Sequence, residues 1–102
     1  MQVTYIAGPY TNADMFIQCQ NIRHARDVAQ RMWLEGKAAI CPHLNTAWFE
    51  GDRQIFIDGD LEILSRCDSI YMLKGWRGSE GAKGELDLAR RMGLAIGYEE
   101  GE

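Results

Sequence analysis

Asp68-Ser69-Ile70-Tyr71-Met72-Leu73-Lys74-Gly75-Trp76-Arg77-Gly78-Ser79-Glu80-Gly81-Ala82-Lys83-Gly84-Glu85 changes character twice: an apolar, β-branched run, then a glycine-rich loop, then helical spacing. Residues 68–73 read as a strand. A helix follows from about Gly81 to Met92, with Ala82, Leu86, Ala89 and Met92 on one side and Gly93 closing it. The same strand-to-helix order lies upstream. Residues 2–7 form a strand that meets a turn at Gly8-Pro9. From Thr11 or Asn12, taken as the N-cap, Met15, Cys19, Ile22, Ala25, Ala29, Met32 and Trp33 recur at three-to-four spacing up to Gly36. Residues 37–41 make a brief second strand broken by Pro42-His43, and 44–51 look irregular. Asp52 caps a helix through about Arg66, with Ile55, Phe56, Ile63 and Leu64 turned inward. Gly59 costs that helix ~1 kcal/mol relative to alanine, which points to close packing there. Residues 94–98 read as a fourth strand before an acidic tail.

Alternation of strand and helix with short joints implies right-handed crossovers onto a parallel sheet. The expected fold is α/β: three α-β-α layers of the flavodoxin/Rossmann kind around a four-stranded parallel sheet, its first strand central, in a single domain spanning 1–102. Such sheets bind ligands beyond the carboxyl ends of their strands. Gly8-Pro9-Tyr10, Pro42-His43 and the 74–84 loop should therefore converge on one edge.

Composition narrows the function. A chain of 102 residues, 46% hydrophobic and 25% charged, has room for one core and not for a two-domain enzyme. No stretch approaches the ~18 consecutive apolar residues of a membrane span, and Met1-Gln2-Val3-Thr4-Tyr5 lacks the layout of a signal peptide, so the cytoplasm is expected. A net charge of −4 without a basic run argues against duplex nucleic acid as partner, while a small anion needs only a local site. Cys19, Cys41 and Cys67 lack zinc or disulfide spacing and read as buried small hydrophobes. No metal and no cofactor is expected.

The loop from Gly75 to Gly84 resembles a phosphate cradle, since glycines allow close backbone approach and helix-start N–H groups attract anions. Both G-x-x-x-x-G-K-[ST] and G-x-G-x-x-G are absent, so it reads equally as a simple turn. Glu85 falls in the first turns of the helix, where the dipole favours an ionised carboxylate suited to attack on a sugar carbon; alone it is equally a surface glutamate. Asp60 flanks an inward-facing stripe and could serve as acid to a departing base, or belong to a solvated face. Tyr5 in strand one needs a hydroxyl partner, structural or functional. His43 is a turn residue or a ligand contact. Trp48 and Trp76 suit stacking on a planar base, an interface, or the core.

Taken together, the Tyr-Ile-Ala-Gly-Pro-Tyr opening (5–10), Cys41-Pro42-His43, Asp60-Leu61-Glu62 and the Ser79-to-Glu85 spacing resemble the nucleoside 2-deoxyribosyltransferase-like superfamily. This superfamily includes 2'-deoxynucleoside 5'-monophosphate N-glycosidases and a small group called DUF4406. The resemblance spans nearly the whole chain. It implies that Tyr5 and Gly8 match the Tyr-x-x-Gly of strand one, Asp60 the helix aspartate, Asp68 the residue opening the third strand, and Glu85 the nucleophile six residues after Ser79. Serine at that loop position is the choice of the monophosphate hydrolases, because an aspartate would repel phosphate where serine and nearby N–H groups donate to it.

The implied activity is cleavage of the N-glycosidic bond of a 2'-deoxynucleoside, preferably its 5'-monophosphate, by hydrolysis or base transfer. Glu85 attacks C1', Asp60 assists the leaving group, and Tyr5 orients Glu85. Gly8, Pro9, Ser79, Gly81 and Lys83 hold substrate, with His43 and Trp76 as pocket contacts. A non-catalytic nucleotide-sequestering protein and a ribosyl hydrolase acting on an NAD-like ligand are the alternatives. The sequence departs from the family pattern at Lys83, which stands where a second glycine is usual, and in lacking the arginine often found after strand one. Phosphate neutralisation then falls to Arg77, Lys74, Lys83 or Arg23. Relatives usually carry a fifth strand, so a partner subunit is expected to complete the edge in a homodimer or larger homo-oligomer.

Overall fold

In the computed structural model, which describes residues 1–101, the elements run β1 (Val3–Ala7), α1 (Met15–Leu34), β2 (Ala38–Ile40), α2 (Pro42–Asn45), α3 (Arg53–Ser65), β3 (Ser69–Met72), α4 (Glu80–Met92) and β4 (Ala95–Tyr98). The four strands form one parallel sheet in the order β2-β1-β3-β4, so β1 is interior. Tyr5 stands opposite Ile40 on one side and Ile70 on the other. Side chains alternate between the faces of a strand, and β1 divides accordingly. Tyr5 and Ala7 enter a core with Leu64 of α3, Ile70 and Met72 of β3, and Ala82, Leu86 and Ala89 of α4. Ile6 enters the opposite core with Ala25, Val28 and Ala29 of α1, Ala39, Cys41 and Leu73. This makes the three α-β-α layers expected from the alternation, with α1 on one face and α3 and α4 on the other.

The helix starts follow from local chemistry. Asp14, not Thr11 or Asn12, caps α1: its carboxylate accepts the Phe16 N–H at 2.9 Å, while the Asn12 side chain accepts the Asp14 N–H at 2.8 Å. Asp52 and Ser79 cap α3 and α4 in the same way, accepting from Gln54 and Ala82. Pro42 opens a short helix instead of ending structure, since proline at the first helical position gives up an N–H that had no partner anyway.

Some inward assignments do not hold. At 20 residues α1 is ~30 Å long and overhangs the short strands, so Met15, Cys19 and Trp33 are exposed and only Ala25, Val28 and Ala29 are buried. Cys41 and Cys67 are buried as expected, Cys19 is not. Ile55 is 65% exposed, and a Cβ on Gly59 would meet open space, so no close packing accounts for that glycine. Among the described residues no helix is long and apolar enough to cross a membrane.

Glycine is required at position 8. A Cβ there would lie 2.7 Å from Leu73 Cβ and 2.9 Å from its Cδ1. The end of β1 thus seats directly on the end of β3, a contact continued by the Leu73 N–H donating to the Ala7 carbonyl at 2.8 Å. The two loops that leave these strands are fixed to one another at the carboxyl edge.

Candidate active site

Register places the first group. Tyr5 lies at the centre of β1 on the face covered by α3 and α4, is 0% exposed, and its hydroxyl donates to Glu85 Oε2. Glu85 comes from α4, six residues beyond the Ser79 cap. Its carboxyl is pushed up from 4.5 to about 7: burial raises it, the Tyr5 hydrogen bond pulls it back in part, and the charge of Asp60 raises it further. Burial, followed by the Glu85 charge and hydrogen bond, drives the Tyr5 phenol well above its ordinary range. Tyr5 is therefore a hydroxyl donor at every working pH. Asp60 of α3 is half-buried, and desolvation lifts it from 3.8 to about 6. Two carboxyls thus come together, Glu85 held by a buried phenol and raised further by the charge of Asp60.

That centre opens into a cavity of about 910 Å³ at the carboxyl edge of the sheet, within the size range of small-molecule sites. Gly8, Pro9, His43, Asp60, Ser79, Gly81 and Glu85 all line it. His43 is 6% exposed; its Nε2–H donates to the Pro9 carbonyl at 2.8 Å, and the Tyr10 ring meets it edge-on at 5.1 Å. Burial depresses its pKa, opposed by the carbonyls of Pro9 and Gly8, and keeps the ring neutral. Its place is that of a brace holding the 8–10 turn. The Ser79 oxygen accepts the Ala82 N–H at 3.2 Å, which leaves its own O–H to donate elsewhere. The first N–H groups of α4, on Glu80 and Gly81, have no carbonyl partner in the helix and stand at the cavity wall.

Three of the residues selected from the sequence stand outside this wall: Tyr5, fully buried and bonded to Glu85, Trp76 and Lys83. Trp76 lies in a single 3-10 turn (Trp76–Gly78) and packs against the α4 core and Tyr98, 6.0 Å between ring centroids, with the Arg77 guanidinium 4.6 Å over its ring. Lys83 pairs with Glu80 at 2.8 Å, one turn along the helix. Arg77, Lys74 and Arg23 are absent from the wall as well, Lys74 lying 3.5 Å from Glu100. The cations that do line it are Arg53 and Arg91. Arg53, Phe56 and Asp60 follow at helical spacing on α3, with Phe49 beside Phe56 at 6.2 Å. Arg53 and Phe49 were not singled out from sequence, although extending the helical stripe back from Asp60 reaches Phe56 and then Arg53. Among the described residues no group of three or more His, Cys, Asp or Glu side chains is gathered as metal ligands would be.

A family model described as "Domain of unknown function (DUF4406)" matches residues 2–98. A search of curated protein sequences gives no match. Among solved structures, the chain is similar to a 2-deoxyribosyltransferase from the psychrotolerant bacterium Bacillus psychrosaccharolyticus, with a TM-score of 0.68 and 20% identity over 94% of this chain and 70% of that one. That protein is described as a biocatalyst for the synthesis of antiviral and antitumoral nucleosides. At this identity the likeness establishes a shared fold.

Proposed function

We propose that this chain, which belongs to the DUF4406 family, cleaves the N-glycosidic bond of a 2'-deoxynucleoside, with preference for the 5'-monophosphate. The observation that carries the reading is the hydrogen bond from the buried Tyr5 hydroxyl to Glu85, which together with Asp60 lines a cavity at the carboxyl edge of the sheet. The fold shared with a deoxyribosyltransferase supports the same class of chemistry.

In the proposed reaction the ionised Glu85 carboxylate attacks C1' as the C1'–N bond breaks. The bonding pair departs with the base, which takes a proton from Asp60. Water then attacks C1', yields its proton to Asp60, and the C1'–O bond to Glu85 breaks to regenerate the carboxylate; a second base in place of water gives transfer. Tyr5 fixes the orientation of Glu85 and supplies a hydrogen bond to its charge. The Ser79 hydroxyl and the N–H groups at the start of α4 are suited to a 5'-phosphate. Gly8 and Pro9 shape the neighbouring wall, with His43 bracing it. Trp76 and Lys83, outside the wall, take no part.

With Glu85 near 7 and Asp60 near 6, the two titrate as a pair. The reactive arrangement, Glu85 ionised and Asp60 protonated, is the minor form of the singly protonated pair, because Glu85 holds its proton more tightly, and its population peaks at intermediate pH.

The test is incubation with a panel of 2'-deoxynucleosides and their 5'-monophosphates, reading free base by chromatography. Base released by the wild type and not by Glu85→Gln supports the proposal. Tight nucleotide binding by both proteins without release identifies a sequestering protein instead. A homo-oligomer is part of the same reading: Met15, Phe16 and Ile17 at the start of α1 and Trp48 in the 46–52 loop are exposed, and light scattering should return a mass above 11.6 kDa.

A further inference from the structure

The cavity has an end that the proposed chemistry does not use. Arg53, Phe56, Ile57 and Asp60 lie at i, i+3, i+4 and i+7 on α3 and all line the wall. Arg53 and Asp60 are seven positions apart, ~10 Å along the axis. Asp60 thus marks the inner end of this stripe and Arg53 its outer end. Phe49 joins from the preceding loop, its ring 6.2 Å from that of Phe56 at 67°.

The loop is built to bring Phe49 there. Trp48 sits at φ 67, a conformation that bulky side chains rarely adopt. The Phe49 N–H closes the turn onto the Thr46 carbonyl at 3.0 Å, and Trp48 is left 78% exposed. Gly51, at φ 143, lets the chain pass over Phe56: a Cβ there would lie 3.4 Å from the ring's Cζ. Arg53 forms none of the ion pairs found among the described residues, in contrast to Lys74 and Lys83. It is a guanidinium in none of those pairs, lining the same cleft as the two aromatic rings.

We propose that this α3 side of the cavity reads the base: Phe49 and Phe56 hold its planar ring, and Arg53 selects bases that present a carbonyl oxygen over those that present an amino group. The inference rests on the roles given above to Asp60 and Ser79, which lay the ligand across the cleft with its departing base over α3 and its 5' end over α4. Apolar and aromatic walls accept any base, because every base has a π-face. Discrimination has to come from hydrogen bonds. Arginine offers donors only, so a 6-oxopurine or 4-oxopyrimidine gains a partner, whereas the amino group of adenine or cytosine meets donor with donor.

The experiment measures kcat/KM for wild type and Arg53→Met on deoxyguanosine and deoxyadenosine, thymidine and deoxycytidine, and their 5'-monophosphates. Arg53 is exposed, so its removal leaves the fold intact, which a thermal melt verifies. The wild type should favour oxo over amino bases roughly ten- to 100-fold. In Arg53→Met that ratio should fall toward one, chiefly through KM, while the ratio of monophosphate to nucleoside stays unchanged. An unaltered oxo-to-amino ratio overturns the inference. So does a collapse of the monophosphate preference in its place, which would assign Arg53 to phosphate. If the wild type releases no base at all, the reading of Glu85 and Asp60 fails separately. Calorimetric titration of wild type and Arg53→Met with dGMP and dAMP then decides the base preference on binding alone, and equal affinities in the wild type reject it.

Discussion

Replacing Glu85 by Gln should abolish turnover and, at the same time, stabilise the protein in a manner that depends on pH. The structure sets both sign and size. A carboxyl raised from 4.5 to about 7 on folding binds its proton more tightly in the native state. The native state is therefore favoured below 4.5, loses stability as pH climbs from about 4.5 to about 7, and bears the full penalty above that. At about 1.4 kcal/mol per tenfold change in proton affinity, the rise corresponds to about 3 kcal/mol. Glutamine has nearly the same shape, still accepts the Tyr5 O–H, and never ionises. Urea melts of both proteins at pH 4 and pH 8 measure the effect. Near-equal stability is expected at pH 4. At pH 8 the variant should be more stable by about 2–3 kcal/mol, roughly 10 °C in Tm for a domain of this size. A variant less stable at pH 8, or a difference that does not change with pH, would refute the placement of an ionisable carboxyl in a desolvated site.

The pair of carboxyls should give a bell-shaped kcat/KM profile with its maximum between about 6 and 7, falling on the acid side as Glu85 gains its proton and on the alkaline side as Asp60 loses its own; activity level to pH 9 would exclude Asp60 as the acid. Tyr5→Phe removes the donor that partly lowers Glu85, so the alkaline limb, set by the higher pKa of the pair, should move to higher pH and the maximum should fall. Stability in the same variant should drop by about 1.5–3 kcal/mol at pH 8 and by less at pH 5, where Glu85 is already protonated, as parallel melts will show. Gly8→Ala drives a methyl group into Leu73; chemical denaturation should register a loss of about 1–3 kcal/mol, with substrate KM raised because the 8–10 turn forms part of the wall.

Much of the architecture was legible because it is carried by periodicity. The apolar runs at 2–7 and 68–73, the caps at Asp52 and Ser79, and the glycines at loop positions each agree with what the backbone does. Tyr5, Asp60 and Glu85 were singled out for a different reason: residue type at spacings that resemble those of a known family. The misses are those of tertiary context. Periodicity cannot tell that α1 outruns the sheet and leaves Met15 and Cys19 in solvent, nor that Ile55 faces outward while Phe56 lines the cleft. Trp76 looked like a base-stacking residue because loop tryptophans often are, but the 3-10 turn folds it back on the core. Lys83 carries the right charge on the wrong side of its helix, and Glu80 is there to bind it. Arg53 went unremarked because a lone arginine in a first turn carries no local signal. Its proposed role depends on Phe49, brought to Phe56 in the same wall by a loop whose course no pattern of residues announces.

The alternation of β1, with Tyr5 on one face and Ile6 on the other, ties the fate of the reactive centre to strand pairing. The phenol that governs Glu85 is also among the largest fully enclosed side chains, so architecture and chemistry share one atom group. A slip of a single residue in how β1 lies between β2 and β3 would carry that phenol to the α1 side and strand Glu85 alone. On the proposed mechanism, misaligned molecules of this protein would for that reason be inert as well as misfolded, and selection for turnover would act directly as selection for correct sheet assembly.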